Sequence, residues 1–560
     1  MVVAARPVAT EVKVKDARVH SREMPGGGQI GIVAFGNQNL FFNGNPEFTY
    51  YYKVYRRYTH FSQESINIAL DGPDQLLMDS PILVRAKIPR YADILTDLML
   101  VLQLPDMYSK IGPQTPSFRW VHMLGAFMIQ NLSIYVGGSQ VQSFPGEWIA
   151  ARATADMKTD QYLKWRSLVG DVAELNEPEW GVRGKSPNYP YAKGEYPHNL
   201  LDPSGNPTAP SVHGRTLRVP LPFWFTESWG AALPLVALQM HEVEIQIQLR
   251  PLREIYRLLD PIFNTEPVRT NRRLLNNPAY PTTNDVSLPG PPYDNLTLQA
   301  NYQSWNDVSG SPRWFYTQAG DPVPRQDGFI MNAHLEGNYV YLTEQEQVSF
   351  VRRELTYLVH QVQTFTFPGI TGLTRLDLDV HGLISRLVFF GRRTDAIESR
   401  NDYINLSNWK YLNQAPYWPM SGPVPNSGLL VSYAQRDILK SARLLLAGNE
   451  LQEPRDATYF EVQTAFKNTE GLGAAGLHTG SLRPNDVMGP MYQMTFGLNA
   501  SDHSQPSGTL NTSRIREVQL EVQPWDLDPY SPFAYDFTVY CETLNTLKLM
   551  NGMAGLGFAI

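Results

Sequence analysis

The 560-residue chain contains a single cysteine, Cys541. It therefore cannot form an intrachain disulfide, whereas an extracellular protein of this size commonly carries several. This composition favours folding in a reducing compartment. The apolar start of the chain is interrupted at Arg6 and Pro7, so we expect no secretory signal peptide.

Long hydrophobic runs and an excess of basic residues are also missing. Residues 231–238 form one of the longest uninterrupted apolar stretches, far short of the ~20 residues that a transmembrane helix requires. The formal net charge is −7. A protein that wraps nucleic acid needs clustered Lys and Arg to displace counterions from the phosphates. We therefore expect no transmembrane segment and no direct binding of nucleic acid.

The residues that are abundant favour an all-β fold. The chain has 41 Gly and 43 Pro, and 11% of its residues are aromatic. Many turn-forming residues together with many aromatic residues are typical of β-sandwiches. A single hydrophobic core stops growing near ~250–300 residues, so a chain of this length should contain at least two cores.

Several segments alternate apolar and polar residues in the manner of half-buried strands. Val243, Ile245 and Ile247 alternate with Glu244 and Gln246. The same pattern predicts strands over residues 132–136, 355–367, 376–390, 438–446, 518–522 and 537–541. Between these strands we expect a helical excursion over 150–168 and a short helix after Thr343.

The segment 30–66 carries the most specific pattern. Its apolar residues predict a strand over 30–35, the run 43–46 (Asn-Gly-Asn-Pro) predicts a turn, and its aromatic residues predict a second strand over 48–58. The Gly-Asn-Pro turn, the following aromatic residues and Tyr55-Arg56-Arg57 closely resemble the opening of the double jelly-roll major capsid proteins of large nucleocytoplasmic DNA viruses. Further family-like stretches follow in the family's order at residues 137–148, 221–235, 448–460, 505–515 and 547–557.

The resemblance implies a fold, a function and partners. The fold would be all-β, with two tandem eight-stranded jelly-roll sandwiches, long loops and a few short helices. The protein would be a structural major capsid protein and not an enzyme. Three copies would form a pseudo-hexagonal capsomer of an icosahedral shell, in contact with neighbouring capsomers and with minor capsid and penton proteins. It would be located in the virion, after assembly in the host cell.

Composition shifts along the chain predict four regions. We expect an N-terminal arm over 1–28, a first jelly roll over 29–256, an interdomain loop or insert over 257–328 and a second jelly roll over 329–560. The third region contains Pro-Gly-Pro-Pro at 289–292, which can form neither a strand ladder nor a helix. We interpret it as the connection between the two sandwiches.

No group of residues indicates a catalytic, cofactor or metal site. Asp377, Asp379 and His381 alternate on one face of a predicted strand and could bind a divalent cation, but a solvated strand face explains them better. His241 is followed by Glu242 without the second His of a zincin helix. Cys541 continues the apolar positions of the predicted strand 537–541, so we interpret it as a small hydrophobic residue and not as a nucleophile.

Two further expectations concern function and the C-terminus. The alternative function is a carbohydrate-binding or carbohydrate-active β-sandwich, because jelly rolls host both and aromatic side chains stack on sugars. Residues 550–560 carry no charged side chain. An apolar tail exposed to water would promote association, so we expect this run to be buried. It would either contact a neighbouring subunit and help lock the assembly, or pack only on its own jelly roll.

Overall fold

The computed structural model describes residues 27–53, 55–77, 80–107, 117–178, 200–201, 207–259, 328–394, 396–397, 401–408, 437–471, 488–527 and 533–558. The chain divides into two compact units, Met1–Thr59 and His60–Ile560. Each unit is considered by itself.

The first unit is helical where strands were predicted. It contains the helices α1 (Gly27–Val33) and α2 (Asn37–Asn43), so the predicted strand over 30–35 is wrong. The predicted strand over 48–58 is also wrong, because among its described residues only Thr49 and Tyr52 form a bridge. An extended segment needs a neighbouring strand to receive its hydrogen bonds. The turn is confirmed, with Asn45 in the left-handed region at φ 53°.

The second unit begins with fifteen described strands that build the first sandwich. They are β1 (Phe61–Ala69), β2 (Gln75–Leu77), β3 (Ile82–Lys87), β4 (Ile94–Gln103), β5 (Ser117–Trp120), β6 (Ile129–Val136), β7 (Ser139–Phe144), β8 (Leu200–Leu201), β9 (Pro207–Ala209), β10 (Thr216–Pro220), β11 (Leu233–Pro234), β12 (Val243–Leu249), β13 (Tyr256–Leu259), β14 (Gly328–Ile330) and β15 (His334–Leu342). One main sheet has the order β1-β15-β4-β10 and the other β3-β12-β6-β7.

The remaining described strands build the second sandwich. They are β16 (Leu355–Ile370), β17 (Thr374–Asp377), β18 (Leu383–Arg393), β19 (Leu439–Leu446), β20 (Asn449–Glu450), β21 (Arg455–Asp456), β22 (Tyr492–Thr495), β23 (Leu510–Asn511), β24 (Val518–Pro524), β25 (Tyr535–Met550) and β26 (Met553–Leu556). The main sheets have the orders β16-β25-β18-β22 and β17-β24-β19-β20. Each sandwich therefore has two four-stranded paths, which confirms the predicted pair of eight-stranded jelly rolls.

Short helices connect the strands. In the second unit they are α3 (Leu124–Met128), α4 (Gly146–Asp156), α5 (Thr159–Leu168), α6 (Ala173–Asn176), α7 (Trp224–Glu227), α8 (Glu344–Arg352) and α9 (Thr464–Asn468). The predicted excursion over 150–168 is the pair α4 and α5. Helix α8 begins after Thr343 as predicted, although the Thr343 side chain makes no capping hydrogen bond. No helix among the described residues is both long and apolar enough to cross a bilayer.

The strand pairing corrects the predicted domain boundaries. Strand β15 lies between β1 and β4 in the first sandwich, and β14 pairs with β2. The residues 328–342 therefore belong to the first sandwich and not to the predicted second jelly roll over 329–560. Strand β13, which precedes the segment 260–327, also pairs within the first sandwich, with β5. That segment itself lies outside the described residues. The Pro-rich sequence at 289–292 resembled a domain boundary. The pairing of β15 with β1 and β4, which lie far earlier in the chain, cannot be recognised from the local sequence.

The two sandwiches share one hydrophobic cluster. The first core extends beyond its own sheets to Val359, Val388, Phe390 and Tyr540 of the second sandwich. A separate core lies between the two sheets of the second sandwich and includes Cys541, which is fully buried. The sheet β16-β25-β18-β22 is therefore buried on both faces, by its own partner sheet on one side and by the first sandwich on the other.

The C-terminal strand is less buried than predicted. Strand β26 pairs with β25, and the backbone N–H of Met240 in the first sandwich donates to Gly552 O at 2.9 Å. Met550, Met553 and Phe558 nevertheless remain 56%, 50% and 63% exposed. The predicted burial of residues 550–560 is therefore wrong for the single chain over its described part.

Helix α4 begins at a position where only glycine fits, which gives a first test of the packing. A Cβ on Gly146 would overlap the backbone carbonyl oxygens of Ala126 and Ile129. We expect Gly146→Ala to lower the free energy of unfolding by at least about 1–3 kcal/mol, because the helix must move to relieve the overlap. The control is Gly372→Ala, whose Cβ meets nothing within 4 Å. Equal denaturation midpoints for the two variants would contradict the packing of α4.

Candidate functional site: the buried interface between the sandwiches

The central strand β25 places a carboxylate between an arginine and a histidine side chain on one face of its sheet. Glu542 lies directly opposite Arg386 of β18 and diagonally across from His360 of β16, whose register partner is Leu544. Side chains that face each other across neighbouring strands come within bonding distance. The face that carries these residues is the one covered by the first sandwich, so the charges are held away from water.

Arg386 joins the two sandwiches. Its guanidinium donates through Nη1 and Nη2 to Asp156 Oδ1 and Oδ2 of helix α4 at 2.6 and 2.7 Å, and through Nε to Glu542 Oε2. Arg386 is fully buried. The two parallel bonds to Asp156 form a bidentate pair, which is the strongest arrangement between these groups. A carboxylate from each sandwich thus compensates one buried positive charge.

The network continues through His503, which lies between β22 and β23. Its Nε2 is 3.1 Å from Asp156 Oδ2, and its Nδ1 is 3.5 Å from Glu542 Oε1. On the first sandwich Arg152 of α4 donates through Nη2 to Glu227 Oε1 at 2.6 Å. Groups from both sandwiches therefore alternate in sign along one continuous cluster.

The protonation states follow from this alternation. Burial by itself raises the pKa of a carboxyl group, but the Arg386 guanidinium and bonds from the histidines hold the pKa of Asp156 and of Glu542 well below the usual range. Burial and Arg152 lower the pKa of His503, yet the surrounding carboxylates outweigh them and raise it to about 9. Both central carboxylates are therefore ionised at neutral pH.

A second charged group lies beside the first at the same interface. Arg392 of β18 pairs with Glu147 of α4 and donates through Nη2 to the backbone O of Tyr403 at 2.7 Å. Tyr540 of β25 donates to Glu147 Oε2 at 3.0 Å, and its ring packs on Trp148 with centroids 5.2 Å apart. One turn of α4 thus presents a carboxylate and an indole to the same face of the second sandwich.

Uncharged hydrogen bonds complete the interface. Gln142 of β7 donates through Nε2 to the backbone O of His360 at 2.7 Å and accepts from the backbone N–H of Trp224 through Oε1 at 3.1 Å. In return, Gln361 donates through Nε2 to the backbone O of Val141 at 2.8 Å. Strands β7 and β16 therefore each receive an amide side chain from the other sandwich, and these bonds fix the position of one strand along the other.

The residues weighed as sites from the sequence lie elsewhere. Asp377, Asp379 and His381 are exposed, and Leu378 and Val380 between them are buried in the second core. Only Asp377 lies in a strand, at the end of β17, while Asp379 and His381 lie in the connection to β18. His241 accepts from Ala554 N–H through Nδ1 at 3.1 Å, a structural contact with β26. Burial raises the pKa of the Cys541 thiol, which keeps it protonated and unreactive.

Sequence reasoning missed all of the interface charges. Arg386 is the one charged residue in the mostly apolar stretch 383–390, and Glu542 is the one charged residue in the stretch 537–544. A single charge inside an otherwise apolar strand is a usable signal, because such a charge is seldom buried without a partner. The partner could not be identified, since Asp156 is 230 positions from Arg386 in the sequence.

Both halves of the chain match known protein families. Residues 49–283 match the family "Major capsid protein N-terminus", and residues 346–555 match the family "Large eukaryotic DNA virus major capsid protein". The chain belongs to the large eukaryotic DNA virus major capsid protein family. It is a structural component of the virion capsid.

Individual relatives span nearly the whole chain. "Probable capsid protein 4" of Acanthamoeba polyphaga mimivirus is 24% identical, with 95% of this chain and 99% of the relative covered. The major capsid protein of Paramecium bursaria Chlorella virus 1 is 23% identical over the same shares. Among solved structures, a quasi-atomic model of the PBCV-1 virus capsid has a TM-score of 0.58 at 18% identity, covering 91% of this chain and 100% of that one. The Faustovirus major capsid protein has a TM-score of 0.55 at 12% identity, covering 92% and 94%. These two likenesses support the double jelly-roll fold.

The buried ion pair provides the test of the interface. Replacing Arg386 with Met leaves two buried carboxylates without their cation, and breaking a buried pair in this way costs about 3–5 kcal/mol. We expect that loss in the free energy of unfolding of the chain, measured by urea denaturation. In the matched control, Arg375→Met removes an arginine that is 60% exposed in its pair with Glu521, and such pairs contribute about 0–1 kcal/mol. Similar losses of unfolding free energy in both variants would show that the buried pair at Arg386 stabilises the chain no more than an exposed pair does.

Proposed function

We propose that three copies of this capsid protein form one capsomer with a pseudo-hexagonal outline, and that such capsomers tile an icosahedral shell. The observation that supports this most directly is the close packing of two sandwiches of the same build. Each contains two four-stranded paths, and a buried charged interface joins them. Three chains then supply six similar sandwiches, the number that a hexagonal outline requires.

The same observation supports a revised division of the chain. We propose that the first jelly roll extends to β15 and that α8 (Glu344–Arg352) marks the passage to the second. The first family match ends at residue 283, and the second begins at residue 346, inside α8. Under this division the segment 260–327 is an insertion within the first jelly roll and does not connect the two sandwiches.

The N-terminal unit supplies a surface for a neighbouring subunit. All of its described residues are exposed, and its aromatic side chains include Phe41, Phe42, Tyr50 and Tyr51 at 82–98% exposure. Aromatic side chains are the residues most enriched at the centres of protein interfaces. Exposed patches of this kind mark contact sites, so we propose that this segment packs on a second copy of the chain.

Further partners follow from the shell itself. A capsomer must contact neighbouring capsomers, and the closure of an icosahedral shell at its vertices requires penton and minor capsid proteins. The alternative function, a carbohydrate-binding β-sandwich, loses its main support. Trp120, Trp148 and Trp224 are at most 2% exposed and pack in the core, so they cannot stack on a sugar.

The oligomeric state of purified protein tests the proposal. We expect light scattering at micromolar concentration and native salt to give the mass of three chains, because interfaces of obligate oligomers commonly bury ~2,000–5,000 Å². A monomer across this concentration range would contradict the capsomer. A monomer that also binds glycans saturably would favour the carbohydrate-binding alternative.

The C-terminal strand supplies a more local test. We expect replacement of Met550, Met553 and Phe558 by Ser to weaken trimer formation, because their exposed apolar surface would be covered by a neighbouring subunit. Analytical ultracentrifugation should show dissociation at a higher protein concentration than for the unmodified chain. The control replaces Leu373 and Leu498, which are 64% and 80% exposed in other loops of the same sandwich. An unchanged trimer in the first variant would show that residues 550–558 do not contribute to the assembly.

A further inference from the structure

Three potential metal ligands converge inside the interface. Glu542 Oε1 is 2.8 Å from His360 Nδ1 and 3.5 Å from His503 Nδ1. One ligand atom from each of the three residues lies within 4.8 Å of the other two. The ligands of a tetrahedral zinc ion, at about 2.0–2.1 Å from the metal, are roughly 3.3 Å apart. The two measured distances lie on either side of that value.

The opposite nitrogen of each imidazole already has an acceptor. His360 Nε2 is 3.2 Å from the backbone O of His503, and His503 Nε2 is 3.1 Å from Asp156 Oδ2. Histidines that bind a metal almost always donate their other N–H to a carboxylate or a backbone carbonyl, which orients the ring. Both supporting contacts are therefore present, and both leave Nδ1 directed toward Glu542.

His503 Nδ1 lacks a hydrogen-bond partner. Only 9% of the His503 side chain is exposed, and its Nδ1 makes no hydrogen bond. An unpaired polar atom in a buried position is uncommon in native proteins and calls for a ligand. His503 Nδ1 faces Glu542 Oε1 at 3.5 Å without hydrogen-bond geometry, so a metal ion between these two atoms would supply the partner that the nitrogen lacks.

With both imidazoles neutral, the fixed charges around the three residues sum to one negative charge, so they would compensate half of the charge of a divalent ion. The carboxylates of Asp156, Glu227 and Glu542 carry three negative charges, and the guanidiniums of Arg152 and Arg386 carry two positive charges. Arg152 Nε also approaches His503 Nε2 at 3.3 Å. When that nitrogen donates to Asp156, Arg152 remains satisfied by Glu227 and by the backbone O of Pro222 at 3.3 Å.

We propose that His360, His503 and Glu542 bind a divalent zinc ion at the interface between the two jelly rolls. Two imidazoles and one carboxylate are ligands that zinc prefers, and they leave a fourth position for a water molecule. Access is provided by the segment around His503, whose neighbours Asp502 and Ser504 are exposed. Asp156 supports the site from the first sandwich, so the ion would link the two sandwiches through its ligands and their partners.

The test uses the full-length chain after chelator treatment and dialysis. Titration with ZnCl₂ in a calorimeter should show one ion bound per chain, and Zn²⁺ should raise the melting temperature in a manner that EDTA reverses. Cobalt(II) provides a second measurement that needs no variant, because a tetrahedral site with nitrogen and oxygen ligands gives an intense visible absorption that zinc displaces.

Variants locate the ion. We expect His360→Gln and His503→Gln, each checked for its fold by circular dichroism, to weaken binding by more than the 10–100-fold typical of losing an outer-shell partner. The control, His381→Gln, changes an exposed histidine that lies 3.4 Å from Asp379 and should bind zinc like the unmodified chain. The proposal is overturned if the unmodified chain binds no zinc and gives no cobalt absorption. It is equally overturned if only the control variant loses binding.

Discussion

The rest of the structure depends on one sheet that is buried on both faces. Strand β25 and its neighbours β16 and β18 pack inward on the second core and outward on the first sandwich. A jelly roll normally exposes the outer faces of its sheets to water, where polar residues alternate with buried ones. Covering this outer face turns two sandwiches into one body, because neither can separate without exposing apolar surface.

The charges at that face determine how the two sandwiches meet. Apolar surfaces alone are non-directional and would allow several packing arrangements. Arg386 accepts only an arrangement that brings Asp156 of α4 into a bidentate pair and keeps Glu542 beside it. Any displacement would leave buried charges without partners, which is far more costly than losing apolar contact. We interpret the ion network as the element that specifies the geometry, while apolar burial supplies most of the stabilisation.

The sequence was sufficient to predict the class of fold, because strand alternation is local. The alternation of Val243, Ile245 and Ile247 predicted β12 correctly, and the turn at Gly137-Gly138 corresponds to the hairpin between β6 and β7. The predictions that failed depend on contacts between distant parts of the sequence. Tyr540 alternates with Val539 as if it faced solvent, yet it is buried because the first sandwich covers it.

Two other errors have the same origin. Strand β15 follows a Pro-rich segment that resembles a boundary, but its partners β1 and β4 lie more than 200 residues earlier. The aromatic segment 48–58 has strand composition without a strand partner among its described residues. The interface pairs could not be predicted for the same reason. A lone Arg386 or Glu542 among mostly apolar residues indicates that a partner exists but does not identify it.

Hydrogen exchange tests most directly whether the two sandwiches form one body. In native-state exchange followed by mass spectrometry, peptides from α4 in the first sandwich and from β25 in the second should share one opening free energy. They should also respond together to increasing denaturant, because opening either element uncovers the same face. Exchange of α4 through a separate opening of lower free energy, while β25 stays protected, would contradict this claim. The shared face would then not hold the two sandwiches together.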